Sequence, residues 1–246
     1  MKTTQNHPVV PETLHAIRRS KPSARGLLTA VGLLAACLGS GTLGAAENYQ
    51  ASLKAGDEHR TNKEYDQALG EYDAAVKLAT SPTERGLALG KIGVIQVDQK
   101  NYGAARESAK EVLAISDARP VARVTALQVL ADCQMKEDKD YPGAIETLEE
   151  ALQLDGVAWA QPTVTIALGD CYRFSGKFEK ALEMYRKMFD LPTANEGIKG
   201  IAALNMGLTY QYNLHDEDEA KASYKKAVEL NPSLQKEVDG HLSRIP

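Results

Sequence analysis

The 246-residue sequence contains only three cysteines, too few for the framework of a disulfide-stabilised protein. Its five histidines are scattered and never reach a metal-ligand spacing such as His-x-x-x-His. It has no glycine-rich nucleotide loop, no EF-hand spacing and no recognisable set of nucleophile, acid and base. We therefore expect no enzymatic activity, no cofactor and no metal ion.

An excess of basic residues is also lacking, since the formal net charge is −4. The charge is unevenly spread: residues 1–46 are basic, and the remainder is more acidic than the whole chain. Non-specific nucleic-acid binding needs clustered Lys and Arg to displace phosphate counterions. The composition therefore argues against a nucleic-acid partner.

Charges are absent from one long stretch, Gly26 to Ala46, which follows the basic segment RRSKPSAR. Three interpretations compete for residues 1–46. The first is a secretory signal peptide cleaved after Ala46, and the second is a bacterial lipoprotein signal in which Leu34-Ala35-Ala36-Cys37 makes Cys37 the lipidated residue. The third is an uncleaved anchor long enough to span a bilayer. All three predict an exported protein, periplasmic or secreted, or else held to the membrane through this segment.

The body of the chain, residues 47–232, contains five copies of one pattern. Its first series of small residues has separations of 37, 38, 38 and 38: Gly56, Gly93, Ala131, Gly169 and Gly207. A second series has separations of 37, 39, 37 and 39: Ala68, Ala105, Ala144, Ala181 and Ala220. Four residues after three of these alanines stands a tyrosine: Tyr72, Tyr185 and Tyr224. This spacing predicts helical hairpins in which a small residue on one helix makes room for a large side chain from the other.

The copies differ slightly in length. In the third and fifth copies the two small residues are 13 positions apart instead of 12. We expect the extra residue to lie in the turn between the two helices.

The pattern resembles the tetratricopeptide repeat. The segments LGDCYRFSGKFEKALEMYRKM and MGLTYQYNLHDEDEAKASYKKAVELNP carry small-x-x-aromatic in the first helix and Ala-x-x-x-Tyr-x-x-small in the second. Further marks of the family are Tyr172, Phe178, Tyr210 and Pro232. The resemblance implies an all-α fold, a right-handed α-solenoid of about five hairpins. We place the repeats approximately at 48–81, 82–117, 119–156, 160–192 and 194–232, followed by a capping helix within 233–246.

The resemblance also implies a concave groove, lined by the first helices, that receives a protein or peptide partner. The expected lining residues are Asp57, Arg60, Val94, Gln128, Asp132, Met135, Asp170, Arg173, Leu208, Gln211 and Tyr212. Among these, Arg173, with Asp170 beside it, is the candidate within the fourth copy that packing of the repeat does not require. If Asp170 lies in an open groove, Asp170→Arg should leave stability almost unchanged.

Two further features have structural interpretations. Cys133 and Cys171 occupy the same site in consecutive repeats, where parallel helices lie about 8–10 Å apart. A disulfide needs Cα atoms within about 7 Å, so we expect two small buried thiols. Trp159, in the connector after the third copy, is interpreted as an apolar clamp between repeats.

The sequence as a whole predicts a non-enzymatic protein-interaction scaffold or adaptor of the bacterial cell envelope. Two alternatives remain open. One is a component of an envelope-assembly or cell-wall complex, anchored by a lipid on Cys37. The other is an adaptor subunit whose catalytic partner is another chain.

Overall fold

The computed structural model describes residues 41–245, with side chains from Asn48 onward. Cys37 and most of the predicted signal segment therefore lie outside the described residues. Within the described range the chain forms eleven α-helices and no strand. The helices are α1 Gly41–Thr61, α2 Tyr65–Leu78, α3 Pro82–Asp98, α4 Tyr102–Ala114, α5 Pro120–Cys133, α6 Tyr141–Gln153, α7 Gln161–Phe174, α8 Phe178–Asp190, α9 Glu196–Thr209, α10 Glu217–Leu230 and α11 Gln235–Leu242.

These helices belong to two compact units, and the boundary along the chain falls within α8. The N-terminal unit extends to Met184 and the C-terminal unit begins at Tyr185. In the N-terminal unit, α1 packs on α2, α3 on α4 and α5 on α6, and each hairpin also packs on the next. In the C-terminal unit, α9 packs on α10 and α11 packs on α10. Since a single hairpin cannot cover its own apolar face, such stacking is what creates a core.

The five alanines of the second helices lie at the centre of this packing. Ala68, Ala105, Ala144, Ala181 and Ala220 are all fully buried. Tyr72 and Tyr224, four residues after the first and last of them, are also fully buried. Their rings lie directly against Gly56 and Gly207, respectively. The predicted pairing of a small residue with a large one is thus confirmed in both units.

The turn between the two helices of each hairpin contains one residue with left-handed backbone. These residues are Lys63, Lys100, Lys139, Gly176 and His215, with φ between 57° and 77°. In three of the turns the next residue caps the second helix: Asn101, Asp140 and Asp216 each accept a hydrogen bond from the backbone N–H three positions later. The left-handed residue therefore reverses the chain and the capping side chain starts the following helix.

The extra residue of the third and fifth copies does not lie in the loop, so that prediction is wrong. The first helix of each of these hairpins instead ends in a π-helical turn, at Gln134–Asp138 and Tyr210–Leu214. A π turn contains one more residue than an α turn and appears as a bulge within a helix. Both π turns end at a left-handed residue, Lys139 and His215, as the other hairpins do.

The last helix closes the C-terminal unit. A short 3₁₀ turn, Pro232–Leu234, leads into α11. Leu234 of this turn and Val238 of α11 are both buried.

No helix in the range 41–245 is both long enough and apolar enough to cross a membrane.

Candidate functional site

The first helices of the N-terminal unit share one face that remains partly open to solvent. Five of the predicted groove residues lie on it, and all five are half-buried: Asp57, Arg60, Val94, Gln128 and Asp132. They stand on α1, α3 and α5, whose packing within one unit places these positions on neighbouring helices. We call this set, together with Lys91 and Asp98, the first-helix face.

Charged side chains of α1 and α3 pair across this face. Lys91 Nζ lies 2.6 Å from Asp57 Oδ1, and Arg60 Nη2 lies 3.3 Å from Asp98 Oδ2. The side chains of Arg60 and Asp98 are only 18% and 11% exposed, which limits the screening of their charges by water. The helix α1 supplies the acid of one pair and the base of the other, so each of the two helices carries one positive and one negative charge of these pairs.

Asp57 is also fixed from the second helix of its own hairpin. Tyr72 donates a hydrogen bond of 2.7 Å from its hydroxyl group to Asp57 Oδ1. Burial and this carboxylate both raise the pKa of Tyr72, so the phenol stays protonated and remains a donor. One carboxylate oxygen thus joins the buried ring of Tyr72 to the cation of Lys91.

Polar groups continue along α5. Gln128 Nε2 donates a hydrogen bond of 3.1 Å to Thr163 Oγ1, while Lys136 Nζ lies 3.2 Å from Asp132 Oδ2. The first-helix face therefore presents acids, bases, one amide and one apolar side chain, Val94, with most of the polar groups held by a neighbour. Such an arrangement suits recognition by hydrogen bonds and charge.

Lys91 and Asp98 were not among the predicted groove residues. They stand three residues before and four residues after Val94, which is the spacing of one helix face. Extending that face in both directions from Val94 would have found them.

Three predicted groove residues of the N-terminal unit are buried, so they do not line an accessible surface. Met135 lies in the π turn, with its sulfur 3.6 Å from Cys171 Sγ. Asp170 and Arg173 are 3% and 8% exposed and form an ion pair of 3.6 Å. Asp170 and Arg173 are inaccessible because most residues of α7 are buried, whereas a larger share of α1 and α3 is open to solvent.

One aromatic ring lies against the buried cation. The guanidinium of Arg173 lies 4.3 Å from the ring centroid of Phe174. Tyr141 in turn stacks on Phe174, with centroids 6.0 Å apart. Such contacts compensate part of the cost of removing a guanidinium from water. Arg173 and Asp170 are therefore packing residues in this structure.

In the C-terminal unit, the predicted groove residues divide in the same way. Leu208 is fully buried because most of α9 is buried, so its assignment to an open groove is wrong. Gln211 is half-buried and Tyr212 is 41% exposed. Both contact α11: Gln211 Nε2 donates to the backbone oxygen of His241 at 3.0 Å, and the hydroxyl of Tyr212 lies 2.9 Å from His241 Nδ1.

The two described cysteines are free and buried, as predicted. Burial raises the pKa of Cys133 to about 11 and that of Cys171 to about 12. A thiol is nucleophilic and metal-binding as the thiolate, which these values suppress at neutral pH. Both side chains therefore act as small apolar groups.

Neither a metal site nor the expected tryptophan clamp is seen in the described part of the chain. Among residues 41–245 no three His, Cys, Asp or Glu side chains are grouped so as to hold a metal ion. Trp159 is 50% exposed, whereas Val157 and Ala160 beside it are buried. These two smaller residues pack the connector, so the interpretation of Trp159 as a clamp is wrong.

Solved structures with a similar fold include a thermophilic TPR protein of Thermus thermophilus. It is 20% identical to this chain, and the TM-score is 0.63. The alignment covers 79% of this chain and 99% of the Thermus protein. MamA is 26% identical, with coverage of 74% of this chain and 96% of that chain and a TM-score of 0.51. MamA from Desulfovibrio magneticus RS-1 is 19% identical, with coverage of 76% and 97% and a TM-score of 0.52. Together with the helical hairpins, these likenesses confirm the predicted all-α repeat fold.

Comparison with known sequences gives a consistent result. No curated protein matches the chain. Family profiles described as tetratricopeptide repeat match residues 53–121, 165–198 and 202–234, together more than half of the sequence. The chain belongs to the tetratricopeptide repeat family.

Proposed function

We propose that the protein is a non-catalytic scaffold of the bacterial cell envelope that holds a segment of a partner protein against its first-helix face. Tetratricopeptide repeat proteins are generally non-catalytic protein-interaction scaffolds. The observation that carries the proposal is the first-helix face itself. On this face each of four half-buried polar side chains forms a hydrogen bond with another residue of the same chain: Asp57, Arg60, Lys91 and Gln128.

The restricted rotamer freedom of these side chains favours binding. A side chain already held by a neighbour loses little rotamer freedom when a ligand arrives, which lowers the entropic cost of association. Tyr72 and Lys91 both hold Asp57, and Asp98 holds Arg60. Val94 lies half-buried on the middle helix, α3, and offers an apolar contact between these polar groups. The chemistry fits an extended peptide of mixed charge with an apolar side chain near its centre.

Placement in the envelope rests on the uncharged run Gly26–Ala46 and its basic flank. Cleavage after Ala46 would remove the first residues of α1, which begins at Gly41. Intact mass of the protein recovered from a native host tests this part of the proposal. A mature chain beginning at Glu47 is expected, and an unprocessed chain in the cytoplasm would contradict export.

A lipid-anchored form is the second candidate, because Leu34-Ala35-Ala36-Cys37 matches a lipoprotein signal. It predicts a mature chain that begins at Cys37, carries acyl groups on that residue and sediments with membranes. Cys37→Ser should then abolish both the acyl mass and the sedimentation. A mature chain beginning at Glu47 would eliminate this form.

Site-specific photocross-linking tests the binding face. A photoreactive amino acid is placed at Val94 or Gln128 on the first-helix face, and at Asp73 or Lys110 on the exposed surface of the second helices as matched controls. We expect both face positions to capture the same protein from envelope extracts, at corresponding points of one short segment. The controls should not capture it.

A purified peptide containing that segment then closes the test. It should bind the wild-type protein and compete with cross-linking at Val94 and Gln128. Cross-linking that is equal at all four positions, or confined to Asp73 and Lys110, would place the binding surface elsewhere and overturn the proposal.

A further inference from the structure

One histidine of the C-terminal helix α11 makes several contacts with the rest of its unit. His241 is 9% exposed, and its ring stacks on Tyr224 at 5.8 Å between centroids and meets the edge of Tyr212 at 5.7 Å. Its backbone oxygen accepts the hydrogen bond from Gln211 Nε2. Both the ring and the backbone of this residue therefore join α11 to the π turn and to α10.

The hydroxyl group of Tyr212 lies between His241 and a cation. Arg244 Nη1 lies 3.2 Å from the hydroxyl oxygen of Tyr212 and can only donate, because a guanidinium has no acceptor. The same hydroxyl group lies 2.9 Å from His241 Nδ1 and can donate its own proton to that nitrogen while it accepts from Arg244. In the neutral histidine with Nδ1 unprotonated, all three groups are therefore paired.

Protonation would break the arrangement. A proton on Nδ1 would turn both His241 and Arg244 into donors to the one hydroxyl oxygen of Tyr212, and would bring two cations to the same atom. The ring is also removed from water, which penalises its charged form. We infer that α11 is an acid-labile cap: when His241 takes up a proton, the helix detaches and uncovers Gln211 and the stacked ring of Tyr224.

Two tyrosines and Glu237 differ in their response to acid. Tyr212 lies on the π turn and Tyr224 on α10, and neither supplies a negative charge as a neutral phenol. On α11 itself Glu237 stands one turn before His241, and burial raises the pKa of Glu237. A carboxyl group whose pKa is raised in the folded protein makes the folded state more stable on acidification. Protonation of Glu237 therefore opposes the proposed detachment of α11.

The direction of the histidine effect follows from the same contacts. Burial and the charge of Arg244 lower the pKa of His241 below its ordinary value of 6.5. A lowered pKa in the folded state means that stability is fully present above pH 6.5 and is lost as the pH falls from there through the folded value. The helix α11 is eight residues long, too short to persist once its contacts are broken.

Hydrogen exchange of the full chain tests the inference at about pH 7.5 and about pH 5, which bracket the ordinary titration of histidine. The measured quantity is the protection factor, which removes the intrinsic pH dependence of exchange. In the wild type, protection of residues 235–245 should fall on acidification, by at most about tenfold for each pH unit below the ordinary histidine pKa of 6.5. Protection of α10 should not fall in parallel.

Three variants separate the histidine from its surroundings. His241→Phe keeps the stacked ring and Glu237 but cannot titrate, so the acid-induced loss should disappear. Arg244→Gln removes the neighbouring cation and should reduce the loss. His215→Asn, at an exposed position with left-handed backbone that asparagine tolerates, should behave as the wild type.

A direct titration keeps the inference testable even if His241→Phe does not fold at its C-terminus. In the wild type, the imidazole proton signal of His241 should titrate below the ordinary histidine pKa of 6.5. A pKa of His241 at or above 6.5, or equal protection of α11 at both pH values, would overturn the inference. So would an undiminished acid-induced loss in a folded His241→Phe variant.

Discussion

The ring of Tyr72 occupies the space in which a side chain on Gly56 would begin. A Cβ atom built on Gly56 would lie 2.4 Å from Tyr72 Cε1. The ring cannot move aside cheaply, because it is fully buried and its hydroxyl group donates to Asp57. Gly207 has the same relationship to Tyr224, at 2.5 Å, so the first and last repeats use one packing solution.

Gly56→Ala should therefore lower the free energy of unfolding. Overpacking of a tight core costs about 1–3 kcal/mol, and we expect a value in that range. Gly70→Ala is the matched control, since Gly70 lies within α2 and a Cβ there meets no atom within 4 Å. The control should raise stability by up to about 1 kcal/mol through helix propensity. Urea unfolding measures the stability of both variants. A stabilised Gly56→Ala variant would show that the ring of Tyr72 can move to make room for the added methyl group.

This packing is the part of the fold that the sequence predicts best. The series of small residues and the tyrosines four positions after the alanines in three copies are local in sequence, because one hairpin contains both partners. Of the π turns, the sequence predicted only that the third and fifth copies contain one extra residue. One extra residue was visible between Ala131 and Ala144, but its position depends on hydrogen bonding at the helix end, which the sequence pattern does not specify.

The left-handed turn residues give a second prediction. Lys100 has φ of 62°, a conformation that costs a side-chain-bearing residue about 1 kcal/mol or more and costs glycine nothing. Lys100→Gly should therefore stabilise the protein by up to about 1 kcal/mol, and Gly176→Ala, at φ of 77°, should destabilise it by a similar amount. Thermal melting of the two variants provides the measurement.

Lys110→Gly is the control for the loss of the lysine itself. Lys110 lies exposed within α4, so glycine there should cost about 1 kcal/mol. If Lys100→Gly were as destabilising as Lys110→Gly, the side chain of Lys100 would contribute more than its backbone costs.

The π turns give a third prediction, on chain length. Deleting Glu137 from the π turn Gln134–Asp138 would restore the spacing of 12 residues found in the second copy. The helix can then close as a regular α-helix, so we expect a folded protein with cooperative thermal unfolding. Some stability should be lost, because Arg106 Nη1 lies 2.5 Å from Glu137.

The control deletion removes Asp98 at the end of α3, where no π turn is present. It should lower stability much more, because the left-handed residue Lys100 and the capping residue Asn101 would be displaced relative to the core. Circular dichroism and melting temperature compare the two deletions. Equal damage would mean that the π turn is not a removable insertion.

The candidate site was harder to predict than the fold, for a physical reason. Helix positions such as Val94 and Gln128 could be assigned to a face because a helix repeats every 3.6 residues. Whether that face is open depends on residues distant in sequence. Leu208 and Asp170 occupy the same helix position as Val94 but lie in helices buried on most of their surface, and Gln211 is contacted by α11 thirty residues later.

The buried pair of Asp170 and Arg173 gives the last prediction and reverses the expectation from the sequence. Removing one partner of a buried ion pair leaves an uncompensated charge, which costs about 3–5 kcal/mol. Asp170→Asn should therefore destabilise the protein by about 3 kcal/mol, and Asp170→Arg by more, because it places a second guanidinium beside Arg173. Glu58→Gln, in the exposed pair with Lys54, should change stability by less than about 0.5 kcal/mol. Urea unfolding of the three variants decides between the two views, since a neutral Asp170→Arg would mean that α7 is open at this position.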